Sequence, residues 1–254
     1  MKTVTVKNLV LGQGMPKICI PITGENKETI EKELEELLEL KPDLAEWRVD
    51  CYKTGSSSES LWEMLKTISD KLGEIPLLFT FRTKKEGGAQ EIMYEDYVKL
   101  LLQAAKTGLA DLIDVELFFR REEAETLIRK IHQEGAVVLA SNHHFHETPE
   151  AEELITRMKE MDACGADILK MAVMPETEWD LCPLLEATLC VSRDCNKPVV
   201  TMSMGKTGVL SRLWGEFTGS CMTFAAGRKA SAPGQVDSYK MREVLRAIHE
   251  IAEQ

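Results

Sequence analysis

Lys170 stands in the stretch GADILKMAVMP at 165–175, where Ile168, Leu169, Met171, Ala172, Val173 and Met174 surround it with apolar side chains. Lysine is among the residues least often fully buried without a partner, because its ammonium is costly to desolvate. In apolar surroundings or near other cations the ammonium form is disfavoured and a neutral amine becomes available. Such an amine attacks a ketone to form an imine, which withdraws electrons, acidifies the adjacent carbon and opens the way to elimination or carbon–carbon cleavage. That chemistry needs a proton carrier. His143, in SNHHFH at 141–146, changes charge near neutrality and suits the task, and Glu86, in FRTKKEGG at 81–88, can orient it. The alternative is an interior ion pair between Lys170 and a carboxylate such as Asp114 or Glu116. His143, His144 and His146 with Glu147 look superficially like metal ligands. Successive strand residues point to opposite faces, however, so His143 and His144 do not converge, and no zinc-type spacing stands nearby. No metal is expected. His132 and His249 fall in helical patterns and read as surface or packing residues.

These residues must be held by something, and the chain alternates short apolar runs with longer amphipathic ones to its end. The spacing predicts strands at 17–22, 45–50, 77–82, 112–116, 137–143, 168–173, 198–202 and 221–224. Helical patterns fill the gaps: KETIEKELEELLEL, SESLWEMLKTISDKL, YEDYVKLLLQAAKTG, REEAETLIRKIHQEG, TPEAEELITRMKEMDACG and ETEWDLCPLLEATLCVSRD, with SYKMREVLRAIHEIAEQ last. The seventh gap, GKTGVLSRLWGEFTGS, has no clear period. Eight such units in 254 residues predict an α/β fold, a (β/α)8 TIM barrel, in preference to an open doubly wound sheet. Residues 1–16 lie outside the repeat, and TVTVKNLVLG alternates like a hairpin turning at Lys7-Asn8 that closes the bottom of the barrel. The expectation is one domain, with 17–254 forming the barrel.

In a barrel of this kind the site is built where strands end and their following loops begin. Glu46, Arg48 and Asp50 share one face of the second strand; Arg82 and Glu86 follow the third; Asp114 and Glu116 end the fourth. His143 ends the fifth, Lys170 lies in the sixth, and Met202, Ser203, Met204 and Arg212 follow along the seventh. Ser231 and Gln235 come after the eighth. Arg48, Arg82, Lys170 and Arg212 are a concentration of cations in a protein of formal charge -11, which points to a small anionic ligand. Read blandly, Glu46 with Arg48 and Asp114 or Glu116 with Lys170 are interior ion pairs. The same net charge, without a basic run, speaks against nucleic acid. No apolar run reaches membrane-spanning length, the N-terminus lacks a signal-peptide pattern, and seven cysteines without a CxxC pair suit free thiols in the cytoplasm.

Taken in order, EWRVD, FRTKKEGG, DVEL, SNHHFHETP, GADILKMAVMP, TMSMGKTGVLSRLWGEFTGS and KASAPGQ resemble the type I 3-dehydroquinate dehydratases of the shikimate pathway, from about Pro16 to the C-terminus. The resemblance implies a (β/α)8 barrel, usually a homodimer, that uses no metal or organic cofactor and dehydrates 3-dehydroquinate to 3-dehydroshikimate. It implies that Lys170 forms the imine, that His143 moves the protons with Glu86 behind it, and that Arg212 holds the substrate carboxylate. Glu46, Arg48, Arg82, Ser231 and Gln235 would bind hydroxyls and the carboxylate, and Phe145, Met202, Met204 and Phe224 would form apolar walls. One position departs from the family pattern, which usually has aspartate directly after this histidine; here it is His144. Two rivals stay open on the residues alone. Another lysine-imine barrel, acting on small phosphorylated sugars, would need a phosphate loop after strands seven and eight, for which ASAPGQ offers one glycine. A non-enzymatic barrel would leave Lys170 merely paired.

Overall fold

The computed structural model describes residues 2–53, 59–227 and 231–253. The chain opens with an antiparallel hairpin, β1 (Val4–Val6) and β2 (Leu9–Leu11), whose turn puts Lys7 at φ 50. Strand–helix units follow: β3 (Lys17–Ile22) and α1 (Lys27–Leu40), β4 (Leu44–Arg48) and α2 (Glu59–Leu72), β5 (Leu77–Thr80) and α3 (Tyr94–Thr107), β6 (Leu112–Glu116) and α4 (Arg121–Gln133). The second half comprises β7 (Val137–His143), α5 (Ala151–Ala163), β8 (Ile168–Val173), α6 (Leu181–Asp194), β9 (Val199–Ser203), the short α7 (Val209–Leu213) and α8 (Gly215–Thr218), then β10 (Met222–Phe224) and α9 (Ser238–Ala252). Among the described residues β3 to β10 form one parallel sheet in the order β10-β3-β4-β5-β6-β7-β8-β9. A parallel bridge between Val199 and Ser220, with Cys221 N–H donating to Val199 O at 2.8 Å, joins its two ends. The result is the TIM-barrel architecture expected from the repeat.

The barrel follows from two periodicities. Strand residues alternate, so Ile18, Ile20, Trp47, Phe79, Ile113, Val115, Val138, Leu169 and Met171 face the helices, while Cys19, Leu44, Leu78, Leu112, Leu139, Ile168, Val200 and Met222 face the axis. Each such burial contributes roughly 1.5–3 kcal/mol for a large aliphatic side chain. The helices answer with a stripe. In α1 the buried residues are Ile30, Leu34 and Leu37, Asn26 caps the start by accepting from Thr29 N–H, and Lys41 in the left-handed region ends it. The hairpin closes the barrel's N-terminal end: Leu11 and Val6 pack onto the axial cluster, Lys7 Nζ lies 3.0 Å from Asp111 Oδ2, and Asn8 donates to Glu74 at 3.0 Å.

Two predicted strands end earlier than the alternation suggests. The chain leaves β4 at Arg48 because Val49–Cys51 coils into a single 3₁₀ turn, which folds the Asp50 carboxylate back against its neighbours. β5 stops at Thr80 because Arg82 N–H donates to Asp50 Oδ1 at 3.1 Å instead of to a strand. Asp50 therefore does not share the inward face of Glu46 and Arg48. The unclear seventh gap holds α7 and α8, too short to show a helical period. The predicted start of α2 at Ser58 lies outside the described residues.

Candidate active site

Toward the C-terminal ends of the strands the axial positions turn polar. Glu46 of β4, Thr80 of β5, Asp114 of β6, Ser141 of β7 and Lys170 of β8 lie above the apolar floor, all buried. The β7–β8 register pairs Ser141 with Lys170 and His143 with Ala172, which sets His143 one inward step above the lysine. Over them opens a cavity of about 230 Å³. Lys170, His143, Glu86, Glu46, Arg48, Arg82, Arg212, Ser231, Gln235, Phe145, Met202, Met204 and Phe224 all line it, joined by Gly87, Ala172 and the 232–233 segment. A wider recess of about 700 Å³ adjoins it at Arg48, Gly87 and Ser231.

Lys170 Nζ lies 3.6 Å from Asp114 Oδ2, 3.8 Å from Glu46 Oε1 and 4.3 Å over the Phe224 ring. Both carboxylate distances exceed a hydrogen bond, so the amine is attracted without being locked. The carboxylates are committed elsewhere: Glu46 accepts from Thr80 Oγ1 at 2.9 Å, and Asp114 accepts from Arg82 Nη2 and Ser141 Oγ, each at 2.6 Å. Of the pairings expected from sequence, Asp114 with Lys170 is present as this loose contact, and two others are not. Glu116 does not pair with Lys170; it takes Arg82 Nη1 at 2.9 Å together with Thr83 N–H and Oγ1. Glu46 does not pair with Arg48, which makes a two-pronged link to Asp50, Nε and Nη2 each at 2.8 Å. The physical reason is the turn after β4, which delivers a planar carboxylate edge-on to the guanidinium. Burial would raise Asp50, but the Arg48 hydrogen bond and charge overcome it and hold the carboxyl below its usual range. Burial likewise opposes the Arg82 cation, and Asp114, Glu116 and Glu86 more than offset it.

His143 Nδ1 lies 2.9 Å from Glu86 Oε2, the oxygen that also accepts the His143 backbone N–H at 3.0 Å. With Glu86 ionised, Nδ1 carries the hydrogen and Nε2 is left bare as a base. Burial first, then Arg82, Lys170 and Arg48, hold the imidazolium well below its usual range. Glu86 moves the other way: burial and the charge of Glu116 push it up to about 8, against Arg82 and the Asn142 hydrogen bond. Gly87 follows at φ 82, and a Cβ there would stand 2.3 Å from the Phe145 ring, so only glycine lets this wall close on the carboxylate.

Among the described residues Arg212 is the one cation of the cavity without a carboxylate beside it. It is 2% exposed, its Nε has no partner, and its terminal nitrogens reach only carbonyls, Phe224 O at 3.4 Å and Pro233 O at 3.2 Å. Among the described residues no carboxylate pairs with it, and burial alone lowers it to about 10. A buried guanidinium facing a cavity in this state is suited to pairing with an anion. Ser231 and Gln235, both on the cavity wall, are tied to each other, Ser231 N–H donating to Gln235 Oε1 at 2.7 Å. Lys229 and Ala230 of the KASAPGQ motif lie outside the described residues.

With this geometry in view, the comparison with known proteins is specific: residues 18–252 match the sequence family described as type I 3-dehydroquinase. The chain belongs to that family. It is accordingly an enzyme, a hydro-lyase. A 3-dehydroquinate dehydratase of Salmonella agona is 45% identical over 251 residues, covering 98% of this chain and 100% of the relative. One of Listeria monocytogenes is 45% identical over 249 residues, covering 98% and 99%. The crystal structure of the type I 3-dehydroquinate dehydratase of Clostridium difficile, solved with covalently modified comenic acid, matches at 43% identity and TM-score 0.94, covering 98% of this chain and 99% of that one.

Within this type I 3-dehydroquinase site, several participants had no assigned part in the sequence reading. Thr80 and Ser141 complete the carboxylate hydrogen bonds beside Lys170, Asp50 anchors Arg48, and Asn142 donates to Glu86 Oε1 at 2.9 Å. Their signal was polarity within otherwise apolar strands. His144 does not line the cavity; its Nδ1 lies 3.9 Å from Glu147 and its buried Nε2 has no partner. Among the described residues no three His, Cys, Asp or Glu side chains group as metal ligands would.

Proposed function

We propose that the chain dehydrates 3-dehydroquinate to 3-dehydroshikimate through an imine on Lys170. The observation that carries this reading is one cavity onto which a buried lysine amine, a histidine backed by a carboxylate and an arginine with no carboxylate partner among the described residues all open. In its uncharged form Lys170 Nζ adds to the substrate ketone, and the carbonyl oxygen leaves as water. The resulting iminium acidifies the neighbouring carbon, and His143 Nε2 takes that proton while Glu86 accepts Nδ1–H. The enamine electron pair then returns and expels the hydroxyl one carbon further on, which departs as water with the proton from His143. A water hydrolyses the conjugated imine, freeing product and amine, so one water is lost overall. Arg212 binds the substrate carboxylate, Glu46, Arg48, Arg82, Ser231 and Gln235 bind its oxygens, and Phe145, Met202, Met204 and Phe224 exclude bulk water. No metal or organic cofactor enters the route.

Borohydride reduction in the presence of 3-dehydroquinate tests this reading. The expected result is a stable adduct on the Lys170 peptide; dehydration without any trapped lysine overturns the imine. We also propose a cytoplasmic homodimer. The seven free cysteines fit a reducing compartment, no described helix is long and apolar enough to cross a membrane, and Leu210, Trp214 and Phe217 present apolar surface on α7 and α8. Sedimentation of the purified chain as a monomer at micromolar concentration refutes the dimer.

A further inference from the structure

The outward face of β7 is apolar at Val138 and Ala140 and then polar at Asn142, which is 5% exposed. A buried amide costs free energy unless both its ends are satisfied. Both are. Nδ2 donates to Glu86 Oε1 at 2.9 Å, and Oδ1 accepts from Arg157 Nη1 at 3.3 Å. Arg157 is itself fixed, its guanidinium 4.6 Å over the Phe118 ring and 2.8 Å from Glu153. Arginine only donates and a carboxylate only accepts, so one of the two amide orientations satisfies both neighbours and the flipped one satisfies neither.

We propose that Asn142, oriented by Arg157, is a positioning residue that keeps Glu86 a pure acceptor and thereby keeps His143 in the tautomer with a bare Nε2. This inference rests on the imine reading and deepens it. Glu86 is contested ground. Glu116 and Asp114 of β6 favour its protonated form, whereas Arg82, 3.8 Å away, favours the carboxylate. From β7 it faces His143, with Lys170 of β8 and Arg48 of β4 also around that imidazole, while Arg157 of α5 approaches through the amide and has Glu153 and His144 about it, His144 in turn facing Glu147. If Glu86 takes a proton, its O–H donates to Nδ1, the imidazole hydrogen moves to Nε2, and the base that faces the substrate is gone. The Asn142 N–H opposes that step because it binds the carboxylate and not the acid.

The test compares Asn142→Leu, which keeps the shape and removes both polar ends, with Arg157→Met and Arg157→Lys, using kcat, KM and borohydride trapping across pH. A hydrogen bond to a charged group is worth enough to move the Glu86 titration by about one pH unit. The low-pH limb of kcat in Asn142→Leu should therefore shift upward by about one unit, giving about a tenfold loss at pH 7 that disappears on the alkaline plateau. KM should stay within about twofold and the imine should still be trapped, since this residue acts through another. Arg157→Met should shift the limb in the same direction by less, and Arg157→Lys should restore part of it. An unshifted limb in Asn142→Leu, or a loss that persists on the plateau or falls on KM, overturns the inference. Should that variant fail to fold, Arg157→Met, whose side chain is 28% exposed, decides the matter by the same limb. Failure of the wild type to trap substrate refutes the imine reading instead, so the two failures are distinct.

Discussion

The two ends of this barrel are made by the same strands and the same alternation, yet they are built for opposite ends. At the N-terminal end the axial residues are Leu44, Leu78, Leu112, Leu139 and Ile168, sealed by Val6 and Leu11. One inward step further along the same strands stand Glu46, Thr80, Asp114, Ser141 and Lys170. The lower layers release free energy by leaving water. The upper layers give some of it back, holding desolvated charges whose pairs are only partly compensated, and Arg212 has no anionic partner among the described residues. The comparison teaches that the scaffold can tolerate an upper layer suited to reaction because the lower one is dry and closed.

Substitutions at the two ends should therefore separate turnover from stability. The largest effect on turnover is expected from Lys170→Ala, which should lower kcat by at least ~10⁴-fold and abolish the borohydride adduct, as assayed by mass mapping. A substantial residual rate would place the chemistry elsewhere. His143→Ala should cost about 10²–10⁴-fold in kcat while still accumulating trapped imine; if trapping disappears as well, the histidine is needed for imine formation. Arg212→Ala should raise KM by about 10–100-fold, corresponding to the ~1.5–3 kcal/mol of a hydrogen bond to a charged group, with a smaller change in kcat. An unchanged KM removes it from carboxylate binding.

A gentler probe is pH. Because His143 is held well below its usual range, no limb should appear near the ordinary imidazole value, and because Glu86 is raised to about 8, kcat should climb with pH towards about 8 and then level. The sign follows from the acceptor role: below that value Glu86 carries a proton and no longer takes Nδ1–H. A profile flat from pH 6 to 9 would contradict this role. At the other end, Leu112→Ala should leave kcat per folded molecule unaltered while costing about 2–5 kcal/mol of stability, read by denaturant unfolding. If turnover falls with it, the two ends are not independent.

Much of this arrangement was legible in the sequence, and the gaps have physical causes. β3, β6, β7 and β8 have the bounds that apolar runs predict, because a parallel strand buried on both faces has to be apolar on both. Polar residues at the strand ends and in the loops after them, read as one set, were enough to collect Lys170, His143, Glu86 and the arginines, all of which line one cavity. Pairing was not legible. Alternation states that Glu46, Asp114 and Lys170 all face the axis, but it does not give distances across a barrel: Glu116 goes to Arg82, and Asp114, one of the two partners offered to Lys170, is shared between Arg82 at 2.6 Å and Lys170 at 3.6 Å. Asp50 was misplaced because a 3₁₀ turn interrupts the strand without a proline or glycine to announce it. Asn142 went unassigned because its role lies on the helix-facing side, where sequence reasoning looks for packing.

The hairpin at the foot of the barrel carries a consequence for traffic. With Leu11 wholly buried against the axis and Lys7 clasping Asp111, that end offers no passage among the described residues. Reactant and product must then both use the C-terminal side, where the cavity adjoins the wider recess at Arg48, Gly87 and Ser231, so an accumulating product stands in the place its precursor has to take.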